Sequence, residues 1–266
     1  MNIPFTKAHG AGNDFLLTWA EQVPAESNLQ AIARAICGRH TGIGGDDWML
    51  VRDAGIRLFN ADGSEAEISG NGTRCAAALL VDSGRASNDV TINTGAGPKH
   101  LRLIERNGRR FLFEMNMGQP VFQEDQVRYL LPLKHGEQEV TILDVGNPQC
   151  AVLVDRIPED WKALGAEIEA HPHFPKRTNV SFVRAVDAHT IEARFYERGA
   201  GATLSSGTGS TGAAVAAILR KVVESPVRII TEGEELRLRW DDSVYLTGPA
   251  EIVGTGEFYV GAKTAS

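Results

Sequence analysis

Ser69-Gly70-Asn71-Gly72 opens one Ala-rich apolar stretch, and Ser206-Gly207-Thr208-Gly209 opens another. Twelve residues before the first stands Arg57-Leu58-Phe59-Asn60, and twelve before the second stands Arg194-Phe195-Tyr196-Glu197. Both pairs are offset by 137 positions (194 minus 57, 206 minus 69). Gly12-Asn13 and Gly146-Asn147 repeat more loosely, at an offset of 134. A strand, an acidic turn, Ser-Gly-x-Gly and a helix recurring at one offset read as an internal duplication. Short strand-like stretches punctuated by glycine fill the rest, among them 56–60, 90–93, 101–104, 111–116, 141–145, 190–196, 227–231 and 236–240. Helices are expected only at Leu29–Cys37, 71–81, 160–169 and 210–223. Many strands with few helices predict an α+β protein of two similar domains.

The first amides of a helix have no intrahelical partner, and the helix dipole adds partial positive charge there, so such an end favours anions. Glycine lets the backbone come close to a ligand, and a serine just before it can point into the same space. One isolated Ser-Gly-x-Gly reads as an N-cap followed by a permissive turn. Two copies read instead as one amide cradle for a carboxylate, with Ser69 and Ser206 as paired acid/base groups. That pattern suits removal of a proton from the carbon beside a carboxylate on one face and its return on the other. Asn13, Asn60, Asn147 and Asn179 can serve carboxylate or ammonium groups, and Arg198 offers a fork for a second carboxylate; each is equally readable as a turn former or a surface ion-pair residue.

Composition narrows the class. The chain of 266 residues carries 27 Lys and Arg against 34 Asp and Glu, a net charge of −7 with both signs interleaved, which argues against a nucleic-acid partner or a polybasic membrane anchor. Neither a leader nor an apolar run of the roughly eighteen residues needed for a membrane span is evident, so a cytoplasmic location is expected. Cys37, Cys75 and Cys150 have neither disulfide-scaffold nor metal spacing and are expected as small buried residues.

Six ordered motifs resemble the diaminopimelate epimerase family: Phe5-Thr6-Lys7-x-His9-Gly10-x-Gly12-Asn13-Asp14-Phe15, Arg39-His40-Thr41-Gly42-Ile43-Gly44-x-Asp46, Phe59-Asn60-Ala61-Asp62-Gly63-Ser64-Glu65, Gly70-Asn71-Gly72-x-Arg74-Cys75, Gly146-Asn147-Pro148 and Tyr196-Glu197-Arg198-Gly199-Ala200-Gly201. The resemblance runs almost end to end. It implies two pseudo-symmetric domains, each a mixed β-sheet wrapped round a central helix, facing each other over a cleft: residues 1–118 with a returning strand at 252–266, and residues 119–251. It also implies an isomerase of lysine and cell-wall precursor biosynthesis, converting LL- to meso-diaminopimelate without pyridoxal phosphate, metal or other cofactor, and a possible homodimer. Ser69, Ser206 and Glu197 fall at the catalytic positions. Asn13, Asn60, Asn147, Asn179 and Arg198 fall in the substrate shell, with the amides of Gly70, Asn71, Gly207 and Thr208 holding the reacting carboxylate.

The departures fall in the chemistry. The family pattern has cysteine at positions 69 and 206, histidine where this chain has Gln149, and glycine or an amide where it has Asp47, a residue assigned to the same substrate shell. A serine hydroxyl titrates several units above a thiol's roughly 8.5, so serine needs help as a base; Glu197, Asp62, Asp47 and His9 are the candidate helpers. The residues leave open an assisted epimerase, a chain whose thiols were exchanged to trap ligand, a related lyase or isomerase such as those acting on hydroxyproline or in phenazine synthesis, and an amino-acid binder without catalysis.

Overall fold

A computed structural model describes residues 2–53 and 55–261. Four α-helices and a mixed β-sheet account for the regular structure among them. The chain divides into two compact units, Met1–Met115 with Gly248–Ser266, and Asn116–Thr247.

In the first unit the strands are β1 (Asn2–Gly10), β2 (Asn13–Trp19), β3 (Asp47–Arg52), β4 (Gly55–Asn60), β5 (Glu65–Ala66), β6 (Asp89–Thr94), β7 (Gly97–Asn107) and β8 (Arg110–Gly118). A late strand, β17 (Val244–Tyr259), gives this unit its residues from 248 onward. Pairing runs from β17 through β1, β2, β3, β4, β6, β7 and β8 and back to β17, so the ladder closes on itself. Pairs β2–β3 and β4–β6 are parallel, and β1–β17, β1–β2, β3–β4, β4–β5, β6–β7 and β7–β8 are antiparallel, which is what makes the sheet mixed. Helix α2 (Gly70–Asp82) packs against β1, β2 and β6, and its residues 70–80 are all buried. A helix buried on every side needs small residues where strands press close. At Gly72 an added Cβ would lie 2.8 Å from both Met49 Cε and Phe15 Cε1.

Helix α1 (Leu29–Cys37) lies on the other side of β3. Asn28 caps it, its side chain accepting from the Ala31 amide at 3.0 Å. Ile32, Ile36 and Cys37 pack with Ile3, Leu16, Trp48 and Phe59, and the Trp48 indole donates to Thr18 Oγ1 at 3.0 Å. Burying a side chain of this size contributes about 1.5–3 kcal/mol. Alternation along β3 therefore sends Trp48 to α1 and Met49 to α2.

The second unit repeats the order. Its strands are β9 (Tyr129–Leu133), β10 (Gly136–Asp144), β11 (Pro148–Leu153), β12 (Asn179–Asp187), β13 (Thr190–Glu197), β14 (Gly201–Thr203), β15 (Val227–Ile230) and β16 (Leu236–Trp240), with residues 244–247 of β17. Pairs β11–β12 and β13–β15 are parallel, as β2–β3 and β4–β6 are in the first unit. Helix α3 (Trp161–Glu169) covers Cys150, Val152, Val180 and Phe182 on one face, as α1 covers its strands. Helix α4 (Gly207–Leu219) packs against β10, β11, β12, β13, β15 and β16, with residues 207–217 buried. Both inner helices are thirteen residues long. No helix among the described residues is long and apolar enough to cross a membrane.

Candidate active site

Each inner helix begins at a capping serine. Ser69 Oγ accepts from the Gly72 amide at 3.1 Å, and Ser206 Oγ accepts from the Gly209 amide at 3.0 Å. Both serines have extended backbone, as an N-cap requires. The amides of Gly70 and Asn71, and of Gly207 and Thr208, precede the first intrahelical bonds, Thr73 N to Ser69 O and Ser210 N to Ser206 O. Ser206 is buried and Ser69 half-buried.

Around Ser206 the polar groups are tightly joined. Its hydroxyl donates to Glu197 Oε2 at 2.7 Å, while Thr203 Oγ1 donates to Glu197 Oε1 at the same distance. The carboxylate is thus aimed at the serine by its second oxygen. Asn147 donates to Thr208 Oγ1 at 3.2 Å and accepts from Gln149 Nε2 at 2.6 Å. Asn179, at the start of β12, donates to Pro148 O at 3.0 Å and accepts from the Arg198 amide at 2.9 Å. The exposed Arg198 guanidinium donates to Lys176 O at 3.3 Å.

In the first unit, Asn13 donates to Asp46 Oδ2 at 2.7 Å and faces Asn71 Nδ2 at 3.5 Å; Asn71 Oδ1 accepts from the buried Arg74 at 2.6 Å. Arg39 bridges Asp46 and Asp14, and Lys7 lies 3.0 Å from Asp14. Burial opposes ionisation of Asp14, but the bonds from Arg39 and Lys7 outweigh it and hold its carboxyl below the usual range. Asp46 and Arg39 therefore fix Asn13, a function their place in a quoted motif did not reveal. Asn60 donates to Ser64 Oγ at 2.8 Å. Asp47 opens β3, half-buried, opposite Asn60 and beside Phe15.

Of the expected helpers, Glu197 reaches a serine. Asp62 accepts from the Ser64 amide and hydroxyl at 2.8 and 2.6 Å, bonds that hold its carboxyl below the ordinary range and bind it to its own turn. His9 accepts from the Gly12 amide and lies 3.8 Å from Glu251. The three thiols do not stand in for the serines. All are buried, and burial pushes Cys37 and Cys75 up to about 12 and Cys150 also upward. Thr203 went unread in the sequence, because only the pairing of the short β14 with β13 brings it to Glu197.

A model of diaminopimelate epimerase matches residues 5–123 and 141–253. The chain belongs to the diaminopimelate epimerase family. A diaminopimelate epimerase of Halothermothrix orenii is 36% identical, over 98% of this chain and 99% of its own length. Another, from Aromatoleum aromaticum, is 38% identical over 98% of this chain and 100% of its length. Solved structures share the fold at low identity. A hydroxyproline epimerase from Agrobacterium vitis has a TM-score of 0.73 at 15% identity, with 99% of this chain and 94% of that one covered. A phenazine biosynthesis protein of the PhzF family from Bacillus anthracis has a TM-score of 0.69 at 15% identity, with 98% and 100% covered.

Proposed function

We propose that this protein epimerises LL-diaminopimelate to meso-diaminopimelate by two-base proton transfer at Cα, with hydroxyls relaying protons where thiols would act directly. The observation that carries this reading is the bond from Ser206 to Glu197 at the head of α4. A serine alkoxide is too basic to form unaided, each pKa unit costing about 1.36 kcal/mol. Glu197 removes that need: as Ser206 Oγ takes the Cα proton, its own proton passes to Glu197 Oε2, and no alkoxide accumulates. Negative charge then grows on the substrate carboxylate. The amides of Gly70, Asn71, Gly207 and Thr208 at two helix N-termini are suited to stabilise it. Ser69 supplies the proton to the opposite face.

Asn13 and Asp47 belong in this reading to the substrate shell, while Asn60, Asn147, Asn179 and Arg198 hold the distal amino-acid end. The two half-sites are taken as parts of two related domains, residues 1–118 with 252–266 and residues 119–251; the repeated order of elements supports this. The test is incubation with LL-diaminopimelate in deuterium oxide, followed by mass spectrometry and chiral separation. One deuterium per inverted centre is expected, with proline, hydroxyproline, glutamate and histidine left unlabelled. Binding of diaminopimelate without any labelling would make the protein a binder, and labelling of one of the controls alone would move it to another substrate.

A further inference from the structure

Resting on that reading, we infer that Asp47 is the proton-relay partner of Ser69, as Glu197 is of Ser206. Strand register relates the two half-sites. In the second unit β11 pairs with β12 as Gln149 with Asn179, and β12 with β13 as Val180 with Tyr196, so the next pair outward is Asn179 with Glu197. In the first unit β2 pairs with β3 as Phe15 with Asp47, and β3 with β4 as Asp47 with Asn60. Two ladders on each side thus make Asp47 the counterpart of Asn179 and Asn60 the counterpart of Glu197. Each half-site holds one carboxylate and one amide, with the two exchanged between strands.

The same register fixes the face. Met49, two residues beyond Asp47, and Phe15, its cross-strand neighbour, both press on Gly72 in the first turn of α2. Asp47 and Asn60 therefore stand on the face that holds α2, at the end where Ser69 caps it. In the second unit the same face holds α4: Ser181, the counterpart of Met49, donates from Oγ to Gly209 O at 3.3 Å; its cross-strand neighbour Phe195, the counterpart of Leu58, presses on Gly209; and Gln149, the counterpart of Phe15, lies against Gly212. From the place equivalent to Asn60, Glu197 reaches its serine at 2.7 Å. Asn60 cannot accept and return a proton as a carboxylate does. The residue across the ladder from it can.

In one direction the Cα proton moves to Ser206 Oγ and the hydroxyl proton of Ser206 to the Glu197 carboxylate. On the opposite face Ser69 gives its hydroxyl proton to Cα and takes one from the Asp47 carboxyl. The enzyme starts with Asp47 protonated and Glu197 ionised and ends with the reverse. It is reset by proton exchange with water, and the reverse reaction begins from that second form.

The experiment uses the full chain, its Asp47→Asn and its Asp47→Glu variants, with LL- and meso-diaminopimelate in deuterium oxide. Inversion and α-deuteration with retained configuration are scored separately. Asp47→Asn should lower inversion at least 100-fold in both directions. Deuteration with retention should fall at most tenfold, through weaker binding, from the one isomer that presents its hydrogen to Ser206 and vanish from the other. Asp47→Glu should recover at least a tenth of the inversion. A defect of folding or binding would lower all four rates together, so equal losses overturn the inference, as does inversion within threefold of the parent protein. If the parent protein labels neither isomer, the epimerase reading falls and this inference with it; if the parent is active and Asp47→Asn unchanged, only this inference falls.

Discussion

A hydroxyl hydrogen-bonded to a carboxylate passes protons, whereas a thiol at a helix N-terminus ionises. In the proposed reaction that difference sets what Ser69 and Ser206 can do. A thiol begins near 8.5 and is lowered further by the helix end, so restoring both thiols should replace a relay with two direct acid/base groups. Ser69→Cys combined with Ser206→Cys is expected to raise diaminopimelate epimerisation by at least two orders of magnitude, read as kcat/KM by chiral chromatography. The native chain should resist iodoacetamide at neutral pH, because Cys37 and Cys75 are held at about 12 by burial. The double variant should take up label at the two new thiols. An unchanged rate together with efficient labelling would show that proton transfer does not pass through positions 69 and 206. At this scale the capping places of Ser69 and Ser206 were legible from the sequence, since neighbours along the chain create them, and Glu197 was one of four candidate helpers. Asp46, Arg39 and Thr203 were not legible, because their partners arrive from other strands.

Elements show the same division. The reading placed α1 at its observed limits, because a cap at Asn28 and a one-sided apolar stripe mark it. It began α4 at 210, three residues late, since Gly207-Thr208-Gly209 has poor helix propensity. Burial against six strands and the Ser206 cap outweigh that propensity. It also ran the helix on to 223, following apolar Val222 and Val223. The chain turns instead at Lys221, with φ +58, and Val222 N bonds back to Ala217 O. A left-handed residue after the cap ends a helix whatever its hydrophobic pattern. Close packing at the helix heads yields a prediction. In Gly209→Ala the new Cβ would meet Phe195 Cδ1 at 2.8 Å and Ser206 Oγ at 2.9 Å. In Gly72→Ala it would meet the flexible end of Met49 and the edge of Phe15, both at 2.8 Å. Overpacking costs about 1–3 kcal/mol, offset in part by the gain of alanine over glycine in a helix. Both variants should lose thermal stability, but Gly209→Ala should also lose at least tenfold in kcat by pushing Ser206 off Glu197. A larger kcat loss in Gly72→Ala would show that Ser206 and Glu197 tolerate displacement.

Across the whole molecule the 137-residue offset revealed the duplication, but only from one strand, one turn and one helix in each half. The remaining correspondences drift to offsets of 134 and 132, as Asn13 with Asn147 and Asp47 with Asn179 show, because connections of different length separate them. What no offset could reveal is that carboxylate and amide change strands between the halves. Burial has a consequence for the molecule as a whole at alkaline pH. Cys37 and Cys75 are raised to about 12, by burial first and then by Asp47 at Cys37; Cys150 is raised by burial alone. In the unfolded chain each thiol ionises near 8.5. Above that pH the native state binds more protons than the unfolded state, so stability falls as pH rises. The contribution is complete below about 8.5 and lost progressively towards 12. Lys99 works the other way, since burial lowers its pKa and the native state releases its proton first. Three raised thiols oppose one lowered lysine, so the net effect is a loss of stability as pH rises. Urea unfolding under reducing conditions at pH 7.5, 9 and 10.5 should show a nearly constant midpoint up to about 8.5 and a steep fall beyond it. A flat profile to pH 10.5 would mean that the thiols ionise within the folded protein, and the case against Cys75 or Cys150 as an acid/base group would be lost.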